Sequence, residues 1–344
     1  MGEDFLDESL ECFVGKGPEF EGGLSNHGPM AVEALVRMGH PAAALPWAVK
    51  YRERLDEAPT LRWAIDGGHW QEALGDGRRA GDWMTFFDHE LTEIPFQDVA
   101  ASWVPRLLPG LMAAATHGAI RTFHAIRSLE GQVNVLRTHE LAQALGYWAA
   151  KYQPLPGNPL SSGRKRPEAV AILLARLAPK VRGPGLISDE MAELWGHPEF
   201  PRLVASVGVG TDVQAAFSRL TAIGARAYVA NADHAPIALV HAVTAPAAVR
   251  GMLSLLSPPQ QREALAYTWQ AVAGLIATNA PAGLAAPSEL DPTASDEQTI
   301  ERAVASGDEH AIKLTEAAIR ENALSPDPAY LRAAADAAVR LAAE

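Results

Sequence analysis

The chain holds a single cysteine, Cys12, so it cannot close an internal disulfide, and a secreted disulfide scaffold is excluded. Basic residues are not in excess. Against 41 Asp and Glu stand 29 Lys and Arg, a formal charge of −12, which argues against both a nucleic-acid footprint and docking on an anionic membrane. Aromatic residues are sparse at 7%, and no uninterrupted apolar run reaches bilayer length; the nearest, Pro236 to Val249, is interrupted by His241 and Pro246. The stretch MGEDFLDESLE is acidic and has neither the basic nor the apolar part of a signal peptide, so the expectation is a cytoplasmic protein. A P-loop and a G-x-S-x-G elbow are also missing, which leaves a serine or cysteine hydrolase without local support. Gly208-Val209-Gly210-Thr211-Asp212-Val213 begins like a dinucleotide fingerprint, but Val213 replaces the third glycine, and the segment reads as a helix connection. His89-Glu90 and His139-Glu140 open a zinc-protease pattern that fails at Glu93 and Gln143.

What fills the chain instead is helix-forming sequence. Its 344 residues are 48% apolar and 20% charged, a globular composition long enough for one large core or two. Alanine, leucine, arginine and glutamate dominate, and few runs alternate apolar with polar at strand length. The expected fold is therefore all-α, a multi-helical single domain over 1–344 or two fused helical lobes, with essentially no sheet. Helices are expected at Met30 to Met38, Ala42 to Leu55, Ala80 to Glu93, Val99 to Leu107, Leu111 to Leu129 and Val135 to Tyr152. Further helices are expected at Ala169 to Pro179, Thr211 to Ile223 and Ile237 to Leu256. Ser257-Pro258-Pro259-Gln260 and Ser306-Gly307-Asp308-Glu309 read as capping boxes, the second opening a helix with His310 and Lys313. Residues 153–167 and 280–296, rich in Pro, Gly, Ser or Ala, read as internal connections. Eight tryptophans, among them Trp47, Trp63, Trp83, Trp103, Trp148 and Trp269, either line an apolar cavity or anchor the core, and for most the core is the simpler role.

Eleven histidines carry the most chemical information. His40, His69 and His197 adjoin Gly or Pro and read as loop or cap residues, and His89 and His139 sit beside acids. His27 precedes a helix start. His117 and His124 lie seven apart on one expected helix face, His234 and His241 repeat that spacing, and His310 and Lys313 share a face at i and i+3. Taken singly, a histidine inside an apolar helix is an ordinary buried group bonded to backbone or water, and Lys313 alone would extend to solvent. Several neutral imidazoles inside one helical protein are costly unless their lone pairs are used, and a transition metal is the usual user.

At these residues the sequence resembles the questin oxidase-like family of aromatic polyketide metabolism. The matching segments are Asn26-His27-Gly28-Pro29-Met30, Leu108-Pro109-Gly110, His117-Gly118-Ala119-Ile120-Arg121, Leu239 to Pro246 and His310-Ala311-Ile312-Lys313, from near residue 20 to near 320. The likeness is weakest from Gln153 to Ile223. It implies an all-helical oxygenase that opens a ring of an anthraquinone-like substrate with dioxygen, by Baeyer–Villiger or dioxygenase chemistry. It also implies non-haem iron (Fe2+) held by His27, His117, His241, His310 and a carboxylated Lys313, with NADPH as a further electron donor. His124 and His234 have no counterpart and are taken as pocket or supporting residues, or as buried structural histidines. By ligand softness alone, four imidazoles suit iron, zinc, copper or nickel equally. Two other readings stay open: a metal-independent monooxygenase requiring NADPH, which would keep its activity under chelation, and a non-catalytic helical binding protein, which would carry no metal.

Overall fold

The computed structural model describes residues 2–161, 163–181, 183, 185–208, 210, 212–286, 290 and 295–342. Among these the fold is all-α, sixteen α-helices with one two-stranded ribbon, Glu19–Phe20 paired antiparallel with Leu24–Ser25. The chain forms two compact units, Met1–Pro154 and Leu155–Glu344, divided inside the expected connection 153–167. The other expected connection, 280–296, lies partly outside the described residues, as do Val209 and Thr211 of the glycine motif.

The first unit contains α1 (Gly2–Glu11), α2 (Gly28–Arg37), α3 (Pro41–Tyr51), α4 (Ala80–Glu93), α5 (Phe96–Leu107), α6 (His117–Gly131) and α7 (Val135–Ala150). Pro29 and Pro41 occupy first-turn positions of α2 and α3, where a missing N–H costs nothing. α7 is the hub, packed against α4 and α6, while α2 lies on α6 and α3. Trp83 and Trp148 are buried here, donating their indole N–H groups to the Ala73 and Gly110 carbonyls at 3.0 and 3.2 Å.

The second unit contains α8 (Pro167–Leu174), α9 (Ile187–Glu193), α10 (Glu199–Ala205), α11 (Val213–Asn231), α12 (Pro236–Gly251), α13 (Pro258–Asn279), α14 (Asp296–Ser306), α15 (Glu309–Leu324) and α16 (Pro328–Arg340). α11, α12 and α13 pack on one another, α15 and α16 close against α12 and α11, and short α8 to α10 border α13. Trp269 of α13 is a core anchor bonded to the Val204 carbonyl at 3.2 Å. Trp63, by contrast, is exposed. α12 also corrects the reading of apolar runs: Pro236–Leu255 is long and apolar enough to cross a membrane, with mean hydropathy 1.4, but 78% of that window is buried inside the protein. A helix apolar all round suits a core position as well as a bilayer.

Three further expectations change in detail. The helix expected from Leu111 begins only at His117, because the preceding residues turn left-handed. The helix expected to end at Ile223 continues to Asn231, capped at its start by the Asp212 carboxylate, which accepts from Ala215 N at 3.0 Å. Ser306 does not open the His310 helix. It ends α14, Gly307 takes the left-handed C-cap, and Asp308 is the N-cap, accepting from His310 and Ala311 N–H at 2.9 and 2.8 Å. The Ser257 box holds, with Gln260 accepting from Ser257 N–H at 2.9 Å.

Candidate metal centre

In the first unit, α2 and α6 bring two histidines together. His27 caps the start of α2 and His117 is the first residue of α6; both are buried, and their Nε2 atoms lie 2.7 Å apart with the rings nearly perpendicular at 89°. Each is followed by a glycine that the packing requires. A Cβ on Gly28 would stand 2.5 Å from the Phe13 ring, and one on Gly118 would stand 2.7 Å from the Trp148 Cα. Such distances are closer than real contacts allow, so each glycine lets its histidine sit tight against a neighbouring element.

The far side of each ring is held. The Ala114 carbonyl accepts from His117 Nδ1–H at 2.6 Å and from the His117 main-chain N–H at 3.2 Å. That carbonyl is aimed by an unusual backbone: Ala114, Ala115 and Thr116 all have positive φ, at 48°, 55° and 74°. No glycine relieves this turn, and each left-handed residue with a Cβ costs roughly 1–2 kcal/mol. His27 is held by Tyr51, whose hydroxyl accepts from the His27 main-chain N–H at 3.0 Å and lies 3.3 Å from Nδ1. A ring fixed at Nδ1 presents Nε2 as a ligand, the usual arrangement around protein-bound metals.

In the second unit, α12 and α15 place His241 and His310 with ring centroids 6.1 Å apart, both rings buried. Lys313, one turn beyond His310, is only 1% exposed, and its Nζ has no hydrogen-bond partner among the described residues. Burial lowers its pKa to about 7, although Glu309 and Asp308 pull the other way. These two carboxylates were not singled out in the sequence, yet Asp308, Glu309 and His310 offer ligand atoms within 4.8 Å of one another. Burial would raise the Asp308 carboxyl, but His310 and the α15 N-terminal amides hold it below its ordinary range.

The two histidines without counterparts go elsewhere. His124 lies on α6, buried, and its Nδ1 meets Glu33 of α2 at 2.7 Å. Burial would push the Glu33 carboxyl up, but Arg127 and His124 hold it far below the ordinary carboxylate range; Arg37 joins at 2.9 Å. This buried charge cluster ties α2 to α6. His234 shares no helix with His241: it sits in the turn between α11 and α12, its Nε2 buried without a hydrogen-bond partner among the described residues. His139 is bonded to Asp88 at 2.8 Å, which raises its pKa. It borders a cavity of about 310 Å³ with Arg121, Glu140, Leu10 and Phe13; no tryptophan lines that cavity.

Sequence reasoning found the histidines and the lysine but not Tyr51, the Ala114 carbonyl or Glu33. Nothing in the local sequence marks them: Tyr51 is an aromatic at a helix end, and an Ala-Ala-Thr run gives no warning of positive φ.

A protein-family model described as questin oxidase-like matches residues 24–318, close to the span of the resemblance read from the sequence. No curated protein matches the chain significantly. The match spans far more than half of the chain and takes in all four histidines and Lys313, and the description is that of an oxidase. The chain belongs to the questin oxidase-like family.

Proposed function

We propose that the protein is a metal-dependent oxygenase that opens a ring of an anthraquinone-like aromatic polyketide. In this reading His27, His117, His241, His310 and a carboxylated Lys313 hold one non-haem iron. The observation that carries it is Lys313. An ammonium buried without an acceptor is costly, and this one has its pKa lowered to about 7, so much of it is neutral amine at neutral pH. A neutral Nζ can attack the carbon of carbon dioxide: an N–C bond forms, an electron pair moves onto oxygen, and one N–H proton leaves to solvent. The product is an anionic carboxylate, which supplies hard oxygen and offsets part of a metal's charge.

The histidines fit the same use. His117 donates from Nδ1 to a carbonyl and therefore keeps its Nε2 lone pair for a ligand role. Four imidazoles with one carboxylate fill five positions, and a six-coordinate ion keeps one for dioxygen, whereas structural zinc closes at four. Iron, when bound, supplies the redox chemistry by which dioxygen reacts with a closed-shell aromatic ring. The residues around it hold the imidazoles at fixed angles and keep bulk water from the buried amine. NADPH is the electron donor required if a single oxygen atom is transferred; both atoms enter the product in the dioxygenase outcome.

The deciding experiment measures metal content and turnover together on protein purified anaerobically, with oxygen uptake followed over a panel of anthraquinones and anthrones. Iron near one equivalent and oxygen-dependent consumption are expected. If His241→Ala and His310→Ala each retain full iron and activity, the ligand assignment is wrong; if only Lys313→Ala does, the carboxylated lysine alone is lost.

A further inference from the structure

Arg121 stands on α6, one turn beyond His117, and its side chain is buried. Glu140 of α7 grips one edge of the guanidinium, accepting from Nε at 2.6 Å and from Nη2 at 2.7 Å. A planar guanidinium held along that edge turns Nη1 away from the carboxylate. Nη1 is buried and has no hydrogen-bond partner among the described residues. A buried donor without an acceptor is costly, and in a native protein such a group calls for a reason.

The same side chain lines the cavity of about 310 Å³ that α1, α4, α6 and α7 border. That volume lies at the low end for small-molecule sites. Leu10, Phe13, Met84 and Leu136 give the cavity an apolar wall, while exposed Val14 and the part-exposed pair Asp88 and His139 mark its open side. Lys16 and Arg121 balance Asp88 and Glu140, and His139, whose bond to Asp88 raises its pKa, adds a positive charge when protonated. None of the residues proposed above as metal ligands belongs to the lining. A ligand for this space therefore needs an apolar body, an acceptor for Nη1 and no more than one negative charge. A dianion would face two carboxylates with too little positive charge beside it, and an ionised acceptor gives the stronger hydrogen bond to a guanidinium than a neutral one. From the cavity and the unfilled corner of its arginine we infer a second ligand site, which takes a small monocarboxylate. The carboxylate accepts from Arg121 Nη1, and its apolar body lies against Leu10, Phe13, Met84 and Leu136.

Titration calorimetry on the full-length protein as purified tests this, with benzoate and octanoate as probes and benzyl alcohol as the neutral control. Both carboxylates are expected to bind, and benzyl alcohol at least about ten-fold more weakly. Chelation is expected to leave the benzoate affinity unchanged. Leu136→Trp, at a half-buried position, fills the cavity and is expected to remove binding. Arg121→Met combined with Glu140→Met removes the ion pair as a unit, without stranding either charge, and is expected to abolish the preference for benzoate over benzyl alcohol. No carboxylate binding to wild type, equal binding of benzyl alcohol, or benzoate binding lost on chelation each overturns the site. So does unchanged benzoate affinity in Leu136→Trp, and a preference that survives in the double variant overturns the role of Arg121. The wild-type titrations and the chelation need no variant, so they decide even if a substituted chain fails to fold.

Discussion

Lys313 shows how one buried charge is read from pH. In the unfolded chain its amine keeps its proton up to about 10.5, but in the folded protein only to about 7. Between these values the unfolded state binds more protons, so the stability of the metal-free protein rises with pH across that window. Lys313→Met removes the buried ammonium. The variant, measured with chelator present, is expected to be about 1–3 kcal/mol more stable at neutral pH and to lose the rise toward pH 10. A flat wild-type profile over that range would refute the lowered pKa. Glu33 has the opposite sign. Its carboxyl is depressed in the folded state, so its contribution is fully present above its ordinary pKa of 4.5 and is lost progressively as pH falls below it. Arg127→Met removes one stabilising charge and is expected to cost about 3 kcal/mol at pH 7, seen as a lower urea midpoint. At this scale the sequence is informative where residue type is itself the signal: eleven histidines in a chain of helices invite attention. It is silent on Glu33, one acid among 41 Asp and Glu, because nothing local reveals that α2 lies against α6.

Among elements, the start of α6 is the most instructive. Apolar periodicity from Leu111 onward reads as continuous helix, yet the chain spends Ala114, Ala115 and Thr116 in left-handed conformation before the helix begins. Periodicity reports which residues are buried, and residues 111–113 and 115–116 are indeed buried; it does not report the sign of φ. Replacing Ala115 with glycine removes the Cβ penalty at the price of added unfolded-chain entropy. A net gain of up to about 1 kcal/mol in denaturant midpoint is expected. A loss of more than that would show the turn to be unstrained. One residue past His117 the sign reverses. Gly118→Ala puts a methyl against the Trp148 main chain, and neither helix can yield cheaply, so a loss of about 1–3 kcal/mol is expected together with displacement of the His117 ring. The capping chemistry was half legible. Gln260 closes its box as read, but Ser306-Gly307-Asp308-Glu309 contains both the end of one helix and the start of the next, and the aspartate is the better cap.

For the whole chain, composition alone was enough for the class. Helix formers, Pro and Gly boundaries and the want of alternating runs all point to an all-α protein, and the ribbon of two-residue strands is the single sheet among the described residues. Boundaries were less legible in the second unit, where short α9 and α10 carry too few periods to stand out from loop. The apolar helix α12 has a consequence that begins before folding is complete. While Pro236–Leu255 leaves the ribosome it meets the length and hydropathy criteria by which translocation machinery sorts nascent segments, and its eventual neighbours α13 and α15 have not yet been made. His241 and Arg250 are polar residues of that segment and weigh against insertion at that moment. Fused between glycosylation reporters, the segment carrying His241→Leu and Arg250→Leu should insert into microsomes far more often than the native one. Equal insertion of the two would show that the later helices alone keep it out of the membrane.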